Sequence, residues 1–196
     1  MKKIIFTGLI FGLVIYMVSC KEHDSAGIVT AISNDSLLKR GDYLVMAMGC
    51  DDCHSPKKMG PNGPEIDFER RFAGSPAGEQ LPPRPANAGR DGWVLFSMDQ
   101  TVAIGPWGTS YAANISSDST GVGAWSELNF ATAMRKGKFK GLEGARTLVP
   151  PMPWQNYRDM SDEDIRAIYL FLKNSKPVKN IVPAYEPPSA PPVTAK

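Results

Sequence analysis

The chain predicts an all-α domain with long Pro/Gly-rich loops and one short β-hairpin. Three observations carry that expectation. Segments 37–48, 126–137 and 161–176 place apolar residues at helical spacing near good caps. Residues 55–110 are too rich in Pro and Gly for further helices. Within that region "WVLFS" and "TVAIG" flank the turn "MDQ", as a hairpin would. A chain of 196 residues is long enough for one domain with its own core. Its formal net charge is +2; setting aside Lys2 and Lys3 leaves 20 basic against 20 acidic residues. With no basic block, the composition argues against a nucleic-acid partner.

The elements follow in chain order. Lys2 and Lys3 precede an apolar run, "IIFTGLIFGLVIYMVS", with the form of an export signal over residues 1–19. It ends in "MVSC", which resembles a lipobox and would make Cys20 the acylated first residue of the mature protein; the alternative is an uncleaved signal anchor with a passive cysteine. Lys21 follows, rather than an Asp that would favour inner-membrane retention, so the expectation leans to an outer-membrane lipoprotein on the periplasmic face. Residues 20–34 are polar, small and aperiodic, and read as a tether. The domain, residues 35–180, opens with a helix capped by Asp35 or Ser36. Its apolar stripe is Leu37, Leu38, Tyr43, Leu44 and Met48, with Gly41 in the middle. Ser126 caps the middle helix and Gly137 stops it. Ser161 caps the last helix, with Asp162, Glu163 and Asp164 in its first turn and Ile165, Ile168, Tyr169 and Leu172 on one face. Residues 181–196 form a Pro-rich tail, extended or disordered.

Three modest helices with long loops need something else to complete a core. The stretch "MGCDDCHSPKK" supplies the lead. Cys50 and Cys53 lie two residues apart and His54 follows at once. Zinc would need a further ligand pair, and the other histidine, His23, sits in the tether. A redox pair would need a βαβ context that is not present in the pattern. Covalent haem attachment remains: two thiols on one helical turn can each add to one vinyl group, with His54 presented to the iron. For the second axial position Met152 stands out, in "LVPPMPWQNY", where flanking prolines stiffen the loop. Met59, Met98 and Met160 are not excluded by periodicity, whereas Met46, Met48 and Met134 read as core.

"LLKRGDYLV" with "GCDDCHSP", then "GVGAWSELNFATAMRKGK", "PPMPWQNY" and "MSDEDIRAIYLFLKNSKPVKNIVP", resembles a class I c-type cytochrome, over about residues 37–183. It is similar to single-haem cytochromes and to cytochrome subunits of membrane-associated dehydrogenases. The resemblance implies a cytochrome c fold whose first and last helices cross, with Gly41 against Tyr169 or its neighbours. It implies one covalently bound haem c on Cys50 and Cys53, with His54 and Met152 as axial ligands. It implies a proline carbonyl accepting the histidine's Nδ1 proton, Pro64 being preferred over Pro61. Trp107, Tyr111, Asn114, Trp154 and Tyr157 become candidates for the propionate surroundings. The implied function is electron transfer between redox proteins of the cell envelope, without bond-making catalysis. The alternatives are a haem-bearing subunit of a larger dehydrogenase or oxidase complex, and a sensor or enzyme with an open sixth position. The loops before the middle helix are longer than in a minimal member and can shape a docking face. Lys57, Lys58, Lys138 and Lys140 are candidates to steer an acidic partner, while Asp51 and Asp52 read as solvent-facing spacers.

Overall fold

The computed structural model describes residues 33–85, 88–89 and 92–188. The export signal, Cys20, His23, nearly all of the tether and residues 189–196 lie outside the described residues.

Among the described residues four α-helices carry the domain: α1 (Asn34–Ala47), α2 (Cys50–His54), α3 (Glu127–Lys136) and α4 (Asp162–Lys173). The cap of α1 is Ser33, which accepts from the Ser36 amide, so the helix starts slightly before the expected caps. Ser126 and Ser161 cap α3 and α4 as read from sequence, and Gly137 ends α3 in the left-handed conformation. Helices α1 and α4 form the largest packing contact between elements. Leu37, Gly41, Leu44 and Val45 of α1 are buried there, whereas Tyr43 and Met46 point outward and are 56% and 66% exposed. The buried face therefore runs through Gly41 rather than Tyr43. A Cβ on Gly41 would lie 2.1 Å from the Ala167 carbonyl oxygen and 2.7 Å from the Phe171 Cβ. The close approach thus falls on Ala167 and Phe171, the α4 positions on either side of Tyr169. Arg40 pairs with Asp164 at the edge of this crossing, at 2.8 Å. Val45, Phe72, Val122, Phe130, Met134, Ile165, Ile168 and Leu172 form the centre of the core.

Two small sheets correct the all-α expectation. The anticipated hairpin is present as β3 (Leu95–Phe96) and β4 (Val102–Gly105), with Leu95 opposite Ile104. A third strand, β5 (Gly108–Tyr111), extends it. A separate hairpin pairs β1 (Lys57–Gly60) with β2 (Gly63–Ile66) across Pro61 and Asn62. These strands are four residues each, polar and Gly/Pro-bearing, so they lack the apolar alternation that marks a strand in sequence. Residues 181–188 are extended but anchored. Glu186 exchanges both backbone hydrogen bonds with Thr109, and the Tyr185 hydroxyl donates to the Trp107 carbonyl. Among the described residues no helix is long and apolar enough to cross a membrane.

Gly41→Ala tests the crossing. On an open helix face the substitution gains about 1 kcal/mol of propensity. Overpacking against Ala167 costs about 1–3 kcal/mol and outweighs it. A lower urea midpoint is expected; an equal or higher one would contradict the contact.

Candidate functional site

Helix α2 is a single turn, Cys50–His54, preceded by Gly49 in the left-handed conformation with no side-chain cap. So short a helix cannot hold itself together and must be fixed from outside. Four contacts do this. The Asp51 carboxylate accepts from Arg71 through both oxygens, at 2.9 and 2.7 Å. It also accepts from the Ser55 hydroxyl at 2.7 Å, and Ser55 in turn accepts the Phe72 amide. The His54 carbonyl accepts the Gly74 amide at 2.8 Å. Lys57 donates to the carbonyls of Asp52, Ser55 and Asp99, joining the turn to the β3–β4 connection.

Asp51 is therefore 8% exposed and ion-paired, not a spacer facing solvent. Burial pushes its carboxyl up, but hydrogen bonds from Arg71 and Ser55 and the charges of Arg71 and Lys57 outweigh this and hold it below the ordinary value. Asp52 is exposed. Lys57 is engaged by backbone carbonyls, which removes it from the set of free docking charges. No sequence rule connects Asp51 to Arg71, 20 positions on in "FERRFAGS".

Cys50 and Cys53 are not joined in a disulfide, and both are half-buried. Burial pushes the Cys50 thiol up to about 11, helped by the adjacent Asp51 charge, and also raises Cys53. The His54 Nδ1 lies 2.7 Å from the Ala113 carbonyl oxygen. Burial lowers the imidazole pKa, against the opposing Ala113 hydrogen bond and Asp51 charge, so the ring is neutral at physiological pH. A carbonyl only accepts, so the proton sits on Nδ1 and the lone pair on Nε2. Ala113 thus takes the part expected of Pro64. Pro64 lies on β2 opposite Met59, its side chain exposed and lining a groove of about 400 Å³.

The other expected residues divide into two groups. Met152 and Tyr157 pack on the same core cluster as Cys50. Tyr157 lies near enough to Cys50 and Cys53 for both to add to the effect of burial in raising its phenol. Trp154 lies against Gly137, where a Cβ would be 2.3 Å from the indole. Asn114, Tyr111 and Trp107 hydrogen-bond through their polar atoms to other parts of the chain. Asn114 donates to Thr120 and the Val178 carbonyl and accepts from Ser116. The Tyr111 hydroxyl donates to Glu186 at 2.6 Å. The Trp107 indole donates to Ser110, whose hydroxyl donates to the Pro150 carbonyl at the head of the Met152 loop. Among the other methionines, Met59 and Met98 are 67% and 71% exposed, whereas Met160 also packs on the core.

The donor set fits haem c: two unpaired thiols on one turn, a neutral imidazole with Nε2 free, and an apolar wall that includes a thioether. Among the described residues no group of three or more His, Cys, Asp and Glu side chains could hold a metal ion. No family model matches the chain. It is similar to the gluconate 2-dehydrogenase cytochrome c subunit of Pantoea cypripedii, 34% identical over 140 residues, 71% of this chain and 23% of the relative. It is also similar to the alcohol dehydrogenase (quinone) cytochrome c subunit of Gluconobacter oxydans, 28% identical over 148 residues, 74% of this chain and 23% of the relative. The fructose dehydrogenase cytochrome subunit of Gluconobacter japonicus is 29% identical over 143 residues, 72% of this chain and 22% of the relative. The chain spans less than a quarter of the length of these relatives. The donor set and these relatives together support a c-type cytochrome with covalently bound haem c. More narrowly, the chain is similar to cytochrome c subunits of dehydrogenases.

The Asp51 pair makes stability depend on pH with a defined sign. A carboxyl held below its ordinary value contributes fully above about pH 4 and loses that contribution as pH falls through the folded value. At pH 7, Asp51→Asn is expected to destabilise by about 2 kcal/mol. In urea titrations the gap to wild type should close below about pH 4. A gap independent of pH would contradict the ion pair.

Proposed function

We propose that the chain is a single-haem electron-transfer protein of the bacterial cell envelope. Cys50 and Cys53 would hold the haem through thioether bonds, and His54 Nε2 and the Met152 sulfur would bind its iron. One observation carries this reading: the Ala113 carbonyl holds the His54 Nδ1 proton and leaves Nε2 free, on the turn that bears Cys50 and Cys53. Bound there, haem c supplies a one-electron iron couple. The protein's part is to bind, orient and exclude water. The Ala113 contact sets the imidazole's tautomer and ring plane. The apolar core next to Cys50, Met152 and Tyr157 lowers the local dielectric and disfavours the more highly charged oxidation state. The Ser110 hydroxyl and the prolines of "VPPMPW" hold the Met152 loop in place. Met152 is preferred to Met160 because prolines on both sides stiffen its loop. We assign no bond-making reaction to the chain.

The relatives' names support a second arrangement of the same chemistry, in which the chain serves as the cytochrome subunit of a dehydrogenase complex. In either case the export signal and Cys20 support a lipid-anchored protein on the periplasmic face, with the outer membrane favoured by Lys21.

Two measurements test these assignments. Met152→Ala is expected to abolish the weak near-infrared band of methionine-ligated ferric haem and to lower the reduction potential, since thioether ligation raises it. If both are unchanged, Met152 is not a ligand. Cys20→Ala should move the protein from the membrane to the soluble envelope fraction; retention on the membrane would refute lipid anchoring.

A further inference from the structure

We propose that Asp51, the first residue between the two cysteines, is a positioning residue for His54, acting through Arg71; this rests on the haem assignment above. Residues 71–75 join the cysteine turn to the loop that holds the imidazole. On one side Arg71 binds Asp51, the Phe72 amide binds Ser55, and the Gly74 amide binds the His54 carbonyl. On the other, the Phe72 carbonyl accepts the amides of Ile115 and Ser116, and the Ser75 amide binds the Ala112 carbonyl. Ala113, the His54 Nδ1 partner, lies between those anchor points. The relative placement of His54 and Ala113 is thus set through this segment.

The segment is under backbone constraint. Phe72 is fully buried and holds φ = +65°, a left-handed conformation that a bulky residue rarely adopts. Gly74 also has positive φ, and a Cβ there would lie 2.3 Å from the Ala112 carbonyl oxygen. Such a conformation persists only where its surroundings over-determine it. Arg71 does so with its side chain. Its guanidinium meets Asp51 in bidentate fashion and stacks over the rings of Phe72 and Phe171, at 4.3 and 5.9 Å. Phe171 belongs to α4, so the pair ties the cysteine turn to the helix crossing as well. Asp52, one position on, has an exposed side chain and no part in this linkage. The two spacers between the cysteines therefore have different roles, and only the first orients the ligand.

The test uses the full chain matured in a host that attaches haem. Asp51→Asn, Arg71→Gln, the double variant and the control Asp52→Asn are compared with wild type. Covalent haem per polypeptide, the ferric near-infrared spectrum, the reduction potential and the urea midpoint are measured. Asp51→Asn and Arg71→Gln should each lower haem loading roughly tenfold, or shift the potential and broaden the near-infrared band of the haem they retain. The double variant should be no worse than either single one, since the two side chains act as a unit. Arg71→Lys keeps the charge but not the fork and should recover part of the loss, which keeps the proposal testable where Asp51→Asn yields no folded protein. Asp52→Asn should match wild type. Unchanged loading, spectrum and potential would overturn the proposal, and so would a fall in urea midpoint alone, which marks a purely structural pair. An effect of Asp52→Asn equal to that of Asp51→Asn would also overturn it. A wild-type chain without covalent haem would overturn the haem assignment itself, and this inference with it.

Discussion

The fixed point of this structure is the part-buried ion pair between Asp51 and Arg71. A five-residue turn has no helical stability of its own. The one here starts at a left-handed glycine without a side-chain cap, so tertiary contacts must impose its shape. The pair provides the strongest of these contacts, because charge-assisted bidentate bonds fix both distance and plane. It also converts a liability into a constraint. A lone carboxylate buried between two half-buried thiols would be costly, whereas a paired and hydrogen-bonded one holds the turn. From Arg71 the constraint passes along 71–75 to the 112–116 loop, and through Phe171 to α4.

The rest of the domain serves the same end from the opposite direction. Helices α1 and α4 cross closely enough that only glycine fits at position 41, which brings the start of α2 onto the core. The segment after α4 returns across the loops. Asn180 receives the Ala77 amide and donates to the carbonyls of Ala73 and Ser75, while Asn114 reaches Val178. Further on, Glu186 closes against β5 and the Tyr111 hydroxyl. A chain with long loops is thereby held by polar side chains that bracket backbone groups, and much of its order lies outside regular elements. This arrangement explains how the imidazole's acceptor comes from an irregular loop. Ala113 can present its carbonyl because Asn114, next to it, is held by four hydrogen bonds to Thr120, Val178 and Ser116.

What could be read from sequence was whatever depends on local pattern. The caps Ser126 and Ser161, the stop at Gly137, the buried face of α4 and the β3–β4 hairpin all follow from short-range rules. The cysteine pair with His54 was legible because its spacing is itself the chemistry. What was missed depends on contacts between distant positions. Resemblance points to Pro64, but β1 and β2 pair and carry it away, and the acceptor is Ala113, 59 positions from His54. Asp51 looked like a solvent spacer because acids usually are, and its partner lies in a separate loop. Tyr43 fell on the apparent apolar stripe, while the actual helix phase is set by Gly41. Residues 181–188 read as a tail because prolines suppress regular structure, yet Tyr185 and Glu186 anchor them.

We propose that Cys50 and Cys53 together carry one covalent haem. Intact mass of the purified protein, combined with a pyridine haemochrome spectrum, tests it most directly. One added haem mass per chain and a haemochrome typical of two thioether bonds are expected, with Cys50→Ser or Cys53→Ser shifting the spectrum to that of a single bond. A wild-type chain at its bare polypeptide mass, or one whose haem is extracted by acid acetone, would contradict it.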